Sequence, residues 1–197
     1  VLNLKVGQIP VTFSYDGKHA DILRMKQLNP IFGQTLDADL ISEVLSLDVR
    51  NIDERFPVQE VSTGVPSIMV PLKTLDALKR AKISRDRYFR FIKDTQAKTI
   101  LIFCPETYKE GNDLNVRLFA DYYGVPEDPA TGSGNGCLAG YLVKHRYFGK
   151  DQINIKVEQG YEIGRPSLLL LKAEEKIEGI DVYVGGKVIM VAKGEFI

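Results

Sequence analysis

One helical stretch stands out in a chain otherwise written in period two. Leu138, Tyr141, Leu142 and His145 recur at helical spacing and mark a helix from about 133 to 147. Around it, strands are predicted at 2–6 and 9–15 with a tight turn near Gly7-Gln8, then at 19–25 after a hairpin at Asp16-Gly17. Further strands are predicted at 67–72, 99–104, 114–120, 153–157, 167–172, 180–184 and 187–191. Shorter helices are read at 36–45, capped by Thr35 or Asp37, and at 74–81 and 85–93, with a linker over 26–35. Strands flanking isolated helices predict a mixed α/β (α+β) class with sheets wrapped on helices, not a doubly wound parallel sheet. The opening meander needs a cover for its apolar face, supplied either later in the chain or upstream of it.

The 197 residues suffice for one large domain or two small ones. Lys plus Arg equals Asp plus Glu at 26 each, so no basic field favours nucleic acid or an anionic membrane. The longest apolar runs, such as that at 167–171, are about five residues, short of the roughly 18 to 20 that span a bilayer. Cys104 and Cys137 are far apart with no second Cys or His close by, which specifies neither a zinc site nor a disulfide scaffold. A reducing, cytoplasmic setting is the expectation, and no targeting peptide is visible after Val1.

The chemistry concentrates in Gly124-Val125-Pro126-Glu127-Asp128-Pro129-Ala130-Thr131-Gly132-Ser133-Gly134-Asn135-Gly136-Cys137. Two prolines keep positions 125 and 128 extended, fixing Asp128 in a loop, and the glycines let the chain turn into the helix. Thr131, Gly132, Ser133 and Gly134 then bring backbone N–H groups and a hydroxyl to a helix N-terminus, a seat for carboxylate or phosphate beside an acid. Two other readings stay open. Asp128 or Ser133 caps the helix and nothing more, or Gly134-Asn135-Gly136-Cys137-Leu138-Ala139 is a dinucleotide fingerprint with Glu158 as its ribose acid. The last reading, a dinucleotide-binding oxidoreductase, requires a strand running into the first glycine, where Pro126 and Pro129 stand.

Glu127-Asp128-Pro129-Ala130-Thr131-Gly132-Ser133 resembles the EDPATGS motif of the phenazine-biosynthesis (PhzF-like) isomerases. Val61-Ser62-Thr63-Gly64-Val65-Pro66, Arg117-Leu118-Phe119-Ala120, Gln159-Gly160, Gly164-Arg165-Pro166-Ser167 and Val184-Gly185-Gly186-Lys187-Val188 resemble other motifs of that family, in order, over nearly the whole chain. The resemblance implies a diaminopimelate-epimerase-like fold: two α/β domains, each sheet curled around a central helix, with the active site in the cleft between them and homodimers common. It implies proton transfer on a small carboxylated metabolite without metal or organic cofactor, with Asp128 and Ser133 as catalytic residues and Gly132 lending a backbone donor; with the helix-end reading above, Thr131, Gly132 and Gly134 are expected to bind substrate. A binding or regulatory protein of the same fold, without turnover, is the alternative.

The family's glutamate after Gly-Asn-Pro and its histidine in Cys-Gly-His-Ala-Thr do not occur in these residues, so the chain is expected to start after both. On that expectation residues 1–28 end the first domain, 29–186 form the second, and 187–197 return as a strand toward the first. His19, in a hairpin, and His145, in a last helical turn that suits a cation, do not stand in for the missing pair. Cys137, one turn beyond Ser133, is read as packing; Arg117 and Arg165 are read as strand-edge or loop cations that pair with surface acids, the alternative being that they draw an anionic substrate.

Overall fold

The computed structural model describes residues 1–5, 7–16, 19–189 and 191–195. Thirteen strands, four α-helices and three short 3-10 turns are found among them. β1 (Leu2–Leu4) pairs with β2 (Gly7–Ile9) as a separate two-stranded ribbon, so the chain reverses before Gly7 rather than at Gly7-Gln8. Pro10, which has no N–H for a ladder, separates β2 from β3 (Val11–Asp16) and breaks the predicted 9–15 strand in two. β3 pairs with β4 (His19–Lys26). Their predicted turn, at Gly17, lies outside the described residues.

The remaining strands are β5 (Ile31–Thr35), β6 (Gln59–Ser62), β7 (Pro66–Pro71), β8 (Thr99–Cys104), β9 (Leu114–Ala120), β10 (Val125–Asp128), β11 (Gln152–Gln159), β12 (Ser167–Lys176) and β13 (Gly179–Lys187). With β3 and β4 they form one 11-stranded mixed sheet, ordered β3-β4-β13-β12-β11-β9-β8-β7-β6-β5, with β10 beside β9. The β7–β8 and β9–β11 pairs are parallel and the others antiparallel. β5 occupies the second half of the expected linker. The two predicted C-terminal strands are one, β13, and the described residues after Lys187 have no regular secondary structure. β13 pairs with β12 on one side and, through Tyr183–Lys187, with β4 on the other, which joins the N-terminal hairpin to the rest of the sheet.

α4 (Gly132–Lys144) is buried from Gly134 to Val143 and packs against β6, β7, β11, β12 and β13, strands from both ends of its stretch of sheet. That stretch therefore curls around the helix, which is apolar on all sides as full enclosure demands. The opposite face carries α1 (Ala38–Val44), α2 (Leu75–Arg80) and α3 (Arg85–Phe91). Asp37 wins the α1 cap: its carboxylate accepts from Asp39 N at 2.7 Å and Leu40 N at 3.3 Å. β8 alternates between the two cores, Leu101 and Phe103 facing α4 while Ile100, Ile102 and Cys104 face the short helices. Coverage on both faces explains its unbroken apolar run.

Two glycines of α4 are where they are because of close approach. A Cβ at Gly140 would stand 2.8 Å from Pro30, and one at Gly136 would stand 3.0 Å from both Gln27 Cγ and Thr63 Oγ1. The connector over 27–30 thus lies directly against the helix backbone.

Candidate active site

Asp128 ends β10 rather than sitting in a free loop; the strand meets β9 through a bulge, with Val125 opposite Ala120 and Asp128 opposite Leu118. The bulge accommodates Pro126 within a strand whose N–H groups are only partly used. Consecutive residues serve opposite faces of the sheet. Glu127 lies on the α2 side, where it binds Arg117 through two parallel bonds, Nε to Oε1 at 3.0 Å and Nη2 to Oε2 at 2.8 Å. Asp128 lies on the α4 side.

Thr131 is the N-cap of α4, yet its hydroxyl makes no capping bond; it donates to Asp128 Oδ2. The N–H groups of Gly132, Ser133 and Gly134 meet no acceptor among the described residues. Neither Asp128 nor Ser133 is therefore the cap. Ser133 is half-buried, and its carbonyl accepts from Thr63 Oγ1 at 3.5 Å. The structure thus brings all five predicted residues, Asp128, Thr131, Gly132, Ser133 and Gly134, to one helix end. The acid lies beside three free N–H donors and the positive end of a thirteen-residue helix dipole.

Three participants were not legible as such. Gln159, fully buried at the end of β11, donates through Nε2 to Asp128 O at 2.7 Å and to Thr131 Oγ1 at 3.1 Å. Its Oε1 accepts from Thr131 N at 3.2 Å and from Asn135 Nδ2 at 2.8 Å. Asn135, also fully buried, donates to Thr131 O at 2.9 Å as well, and its Oδ1 has no partner. Thr63, from the β6–β7 turn, reaches the first turn of α4 through Ser133 O and lies 3.6 Å from Cys137 Sγ. The signals available in the sequence were the paired motifs around Thr63 and Gln159, which carry no chemistry until the fold sets them against α4.

Other expectations are corrected here. Glu158 is no ribose acid: it is fully buried and accepts from Tyr108 N, Lys109 N, Asn112 Nδ2 and Asn115 Nδ2 at 2.7 to 3.0 Å. Its lone pairs tie the segment after β8 to β11, and the dinucleotide reading loses its acid. Arg117 is not at an edge but under the centre of the sheet. Besides Glu127, its Nη1 donates to the Leu78 and Ala81 carbonyls at 2.9 Å, where a cation complements the C-terminal end of α2. Arg165 is exposed, and no ion pair reaches it among the described residues.

His145 and Cys104 bond elsewhere, and of the site's participants Cys137 meets Thr63 alone. His145 is not held as a cation: its Nε2 meets Gln59 Oε1 at 2.8 Å, and burial, with Lys144 nearby, lowers its pKa. His19 stands in β4. Cys137 is fully buried, and burial raises its thiol pKa; Cys104 is pushed up to about 12 for the same reason. Both are packing residues.

Residues 1–194 match the family described as phenazine biosynthesis-like protein. The chain belongs to that family. It is 33% identical over 148 residues to a trans-2,3-dihydro-3-hydroxyanthranilate isomerase of Pseudomonas fluorescens, covering 74% of this chain and 49% of that protein. It is 28% identical over 172 residues to an uncharacterized isomerase of Clostridium acetobutylicum, covering 84% of this chain and 57% of that one. The chain thus spans about half the length of these curated relatives. The crystal structure of a Bacillus anthracis PhzF-family protein superposes with a TM-score of 0.82 at 24% identity, over 94% of this chain and 67% of that one. A probable proline racemase of Agrobacterium radiobacter shares the fold at a TM-score of 0.56 and 9% identity, over 92% and 55%. The architecture of mixed sheet and enclosed helix is thus the PhzF and proline-racemase type. No helix among the described residues is long and apolar enough to cross a membrane.

Proposed function

We propose that this chain belongs to an isomerase that moves a proton on a small carboxylated metabolite, without metal or organic cofactor, in a cleft that the α4 N-terminus lines. One observation carries the reading: the Asp128 carboxylate, oriented by Thr131, stands beside three unpartnered N–H groups of Gly132, Ser133 and Gly134. A substrate carboxylate seated on those donors is held by charge-assisted hydrogen bonds and the helix dipole. Its neighbouring carbon, hydroxyl or amine then lies within reach of Asp128, which accepts or returns a proton, while the Ser133 hydroxyl adds a further donor. The relatives named as isomerases, one of them acting on a dihydro-hydroxyanthranilate, support the same chemistry. On this reading the second proton-handling group belongs to the part of the protein outside these residues, and the protein acts in the cytoplasm as a homodimer.

The test uses the protein at the full length of its relatives. Proton transfer predicts deuterium uptake from heavy water into carbon positions of dihydroanthranilate-type and aliphatic carboxylates, read by mass spectrometry. Asp128→Asn keeps the size and most hydrogen bonding of the side chain but cannot accept a proton. It should lower the exchange rate on the order of 100-fold or more while unfolding within about 1 to 2 kcal/mol of wild type. Exchange at the wild-type rate in this variant would remove Asp128 from the chemistry.

A further inference from the structure

We propose that Gln159 is the positioning residue of this site, holding the Asp128 carboxylate and the start of α4 in one fixed arrangement. The inference rests on Asp128 being the reacting carboxylate. Gln159 uses its whole hydrogen-bonding capacity on the segment 128–135: two donated bonds, to Asp128 O and Thr131 Oγ1, and two accepted ones, from Thr131 N and Asn135 Nδ2. A glutamine amide has a fixed plane, so these four bonds specify both the rotation of its head and the places of its partners. Thr131 Oγ1 is the hinge of the arrangement. It accepts from Gln159 and donates to Asp128 Oδ2, so the amide orients the hydroxyl and the hydroxyl orients the acid.

The frame behind Gln159 is rigid. β11 is paired along its whole length with β12, and Gln159 itself lies opposite Val116 of β9. The adjacent Glu158 is anchored on the other face by its four donors. Gly160 follows with φ +82, and a Cβ there would stand 2.8 Å from Pro129 O, which seats the next loop directly on the Asp128–Thr131 turn. The acid is thereby registered to the sheet through a fully buried side chain, a form of preorganisation.

The experiment reads Asp128 directly, in the chain as it stands and without ligand. With aspartate labelled at Cγ, Thr131→Val displaces the Asp128 resonance by removing its hydroxyl donor. Gln159→Met, which keeps the volume and removes all four bonds, should displace it in the same direction, and the double variant should move it no further. Independently of any variant, the Gln159 side-chain amide protons should exchange with solvent at least about 100-fold more slowly than a free glutamine amide, as groups in protected structure do. A parallel titration with anthranilate, followed at the Gly132, Ser133 and Gly134 amides, tests the carboxylate seat. That titration is run on the protein at the full length of its relatives, where silence with the Asp128 coupling intact sinks the proposed function and upholds the positioning role. An Asp128 resonance unmoved in Gln159→Met, additive displacements in the double variant, or unprotected Gln159 amide protons would each overturn the proposal.

Discussion

Around β7, β8 and β9 the sheet is clothed on both faces, by α4 on one and by the three short helices on the other, and its side chains are almost wholly buried. At the other end, β3 and β4 present Val11, Phe13, Leu23 and Met25 on one face, with Val11 opposite Met25 and Phe13 opposite Leu23. Phe13 is 50% exposed and Tyr15 66%. The strands are paired in both places, and Thr12 and Arg24 fall on the opposite face of the hairpin. Backbone pairing and apolar period therefore do not by themselves make a core; they make a surface that a helix completes. α4 completes it from β6 across to β13 and ends short of β3 and β4.

Four measurements can break or sharpen that contrast. The largest effect belongs under the doubly covered region. Arg117→Leu leaves Glu127 buried without its partner and uncaps the carbonyls at the end of α2, so the chain should lose about 3 to 5 kcal/mol in denaturant unfolding. A loss below about 1 kcal/mol would mean the centre of the sheet is as accessible to water as its bare end. Leu142→Ala, on the enclosed helix, should cost about 2 to 5 kcal/mol by cavity formation. Phe13→Ser, on the bare hairpin, should cost less than about 1 kcal/mol, because half of the ring is already in water. The same change should lower the binding of an apolar-surface dye; unchanged dye binding would place the sticky surface elsewhere.

The smallest effect is a matter of pH at His145, beside the rim of the α4 core. Its folded pKa lies below the ordinary 6.5, so the unfolded chain takes up the proton more readily. The stability it contributes is present above pH 6.5 and drains away as the pH falls through the lowered value. His145→Gln should flatten the stability profile in that acid window by well under about 1 kcal/mol, given that the ring is partly solvated. A profile that rises on acidification would show a histidine held as a cation.

The same contrast explains which parts of the fold were legible. Strands with one apolar face, such as β3, β4, β11 and β12, declare themselves by period, as does α4 by its helical repeat. β5, β6 and β10 were missed because Gln59-Glu60, Gly33-Gln34 and Pro126-Glu127 owe their extended form to neighbours in the sheet rather than to their own propensities. Arg117 misled for a related reason. Leu114, Val116 and Leu118 mark one face of β9 as buried, which makes the alternate face look wet until α2 is seen lying across it. At the site, the segment 128–134 was legible because prolines, glycines and an acid in that order restrict the backbone before any tertiary contact forms. Gln159 was not, since a strand-end glutamine acquires meaning only from the four groups it meets.

The place of β13 bears on how the chain is made. It is the last strand in sequence, yet it lies between β12 and β4 and supplies the hairpin's only ladder to the rest of the main sheet among the described residues. Met25 pairs with Val184, so this contact waits until the ribosome has added nearly the whole chain. At ordinary rates of 5 to 20 residues per second, that interval is roughly 8 to 30 s. Throughout it the β4 edge that β13 later occupies is without that partner, so its safe passage depends on the tunnel, on chaperones, or on whatever else reaches that edge first.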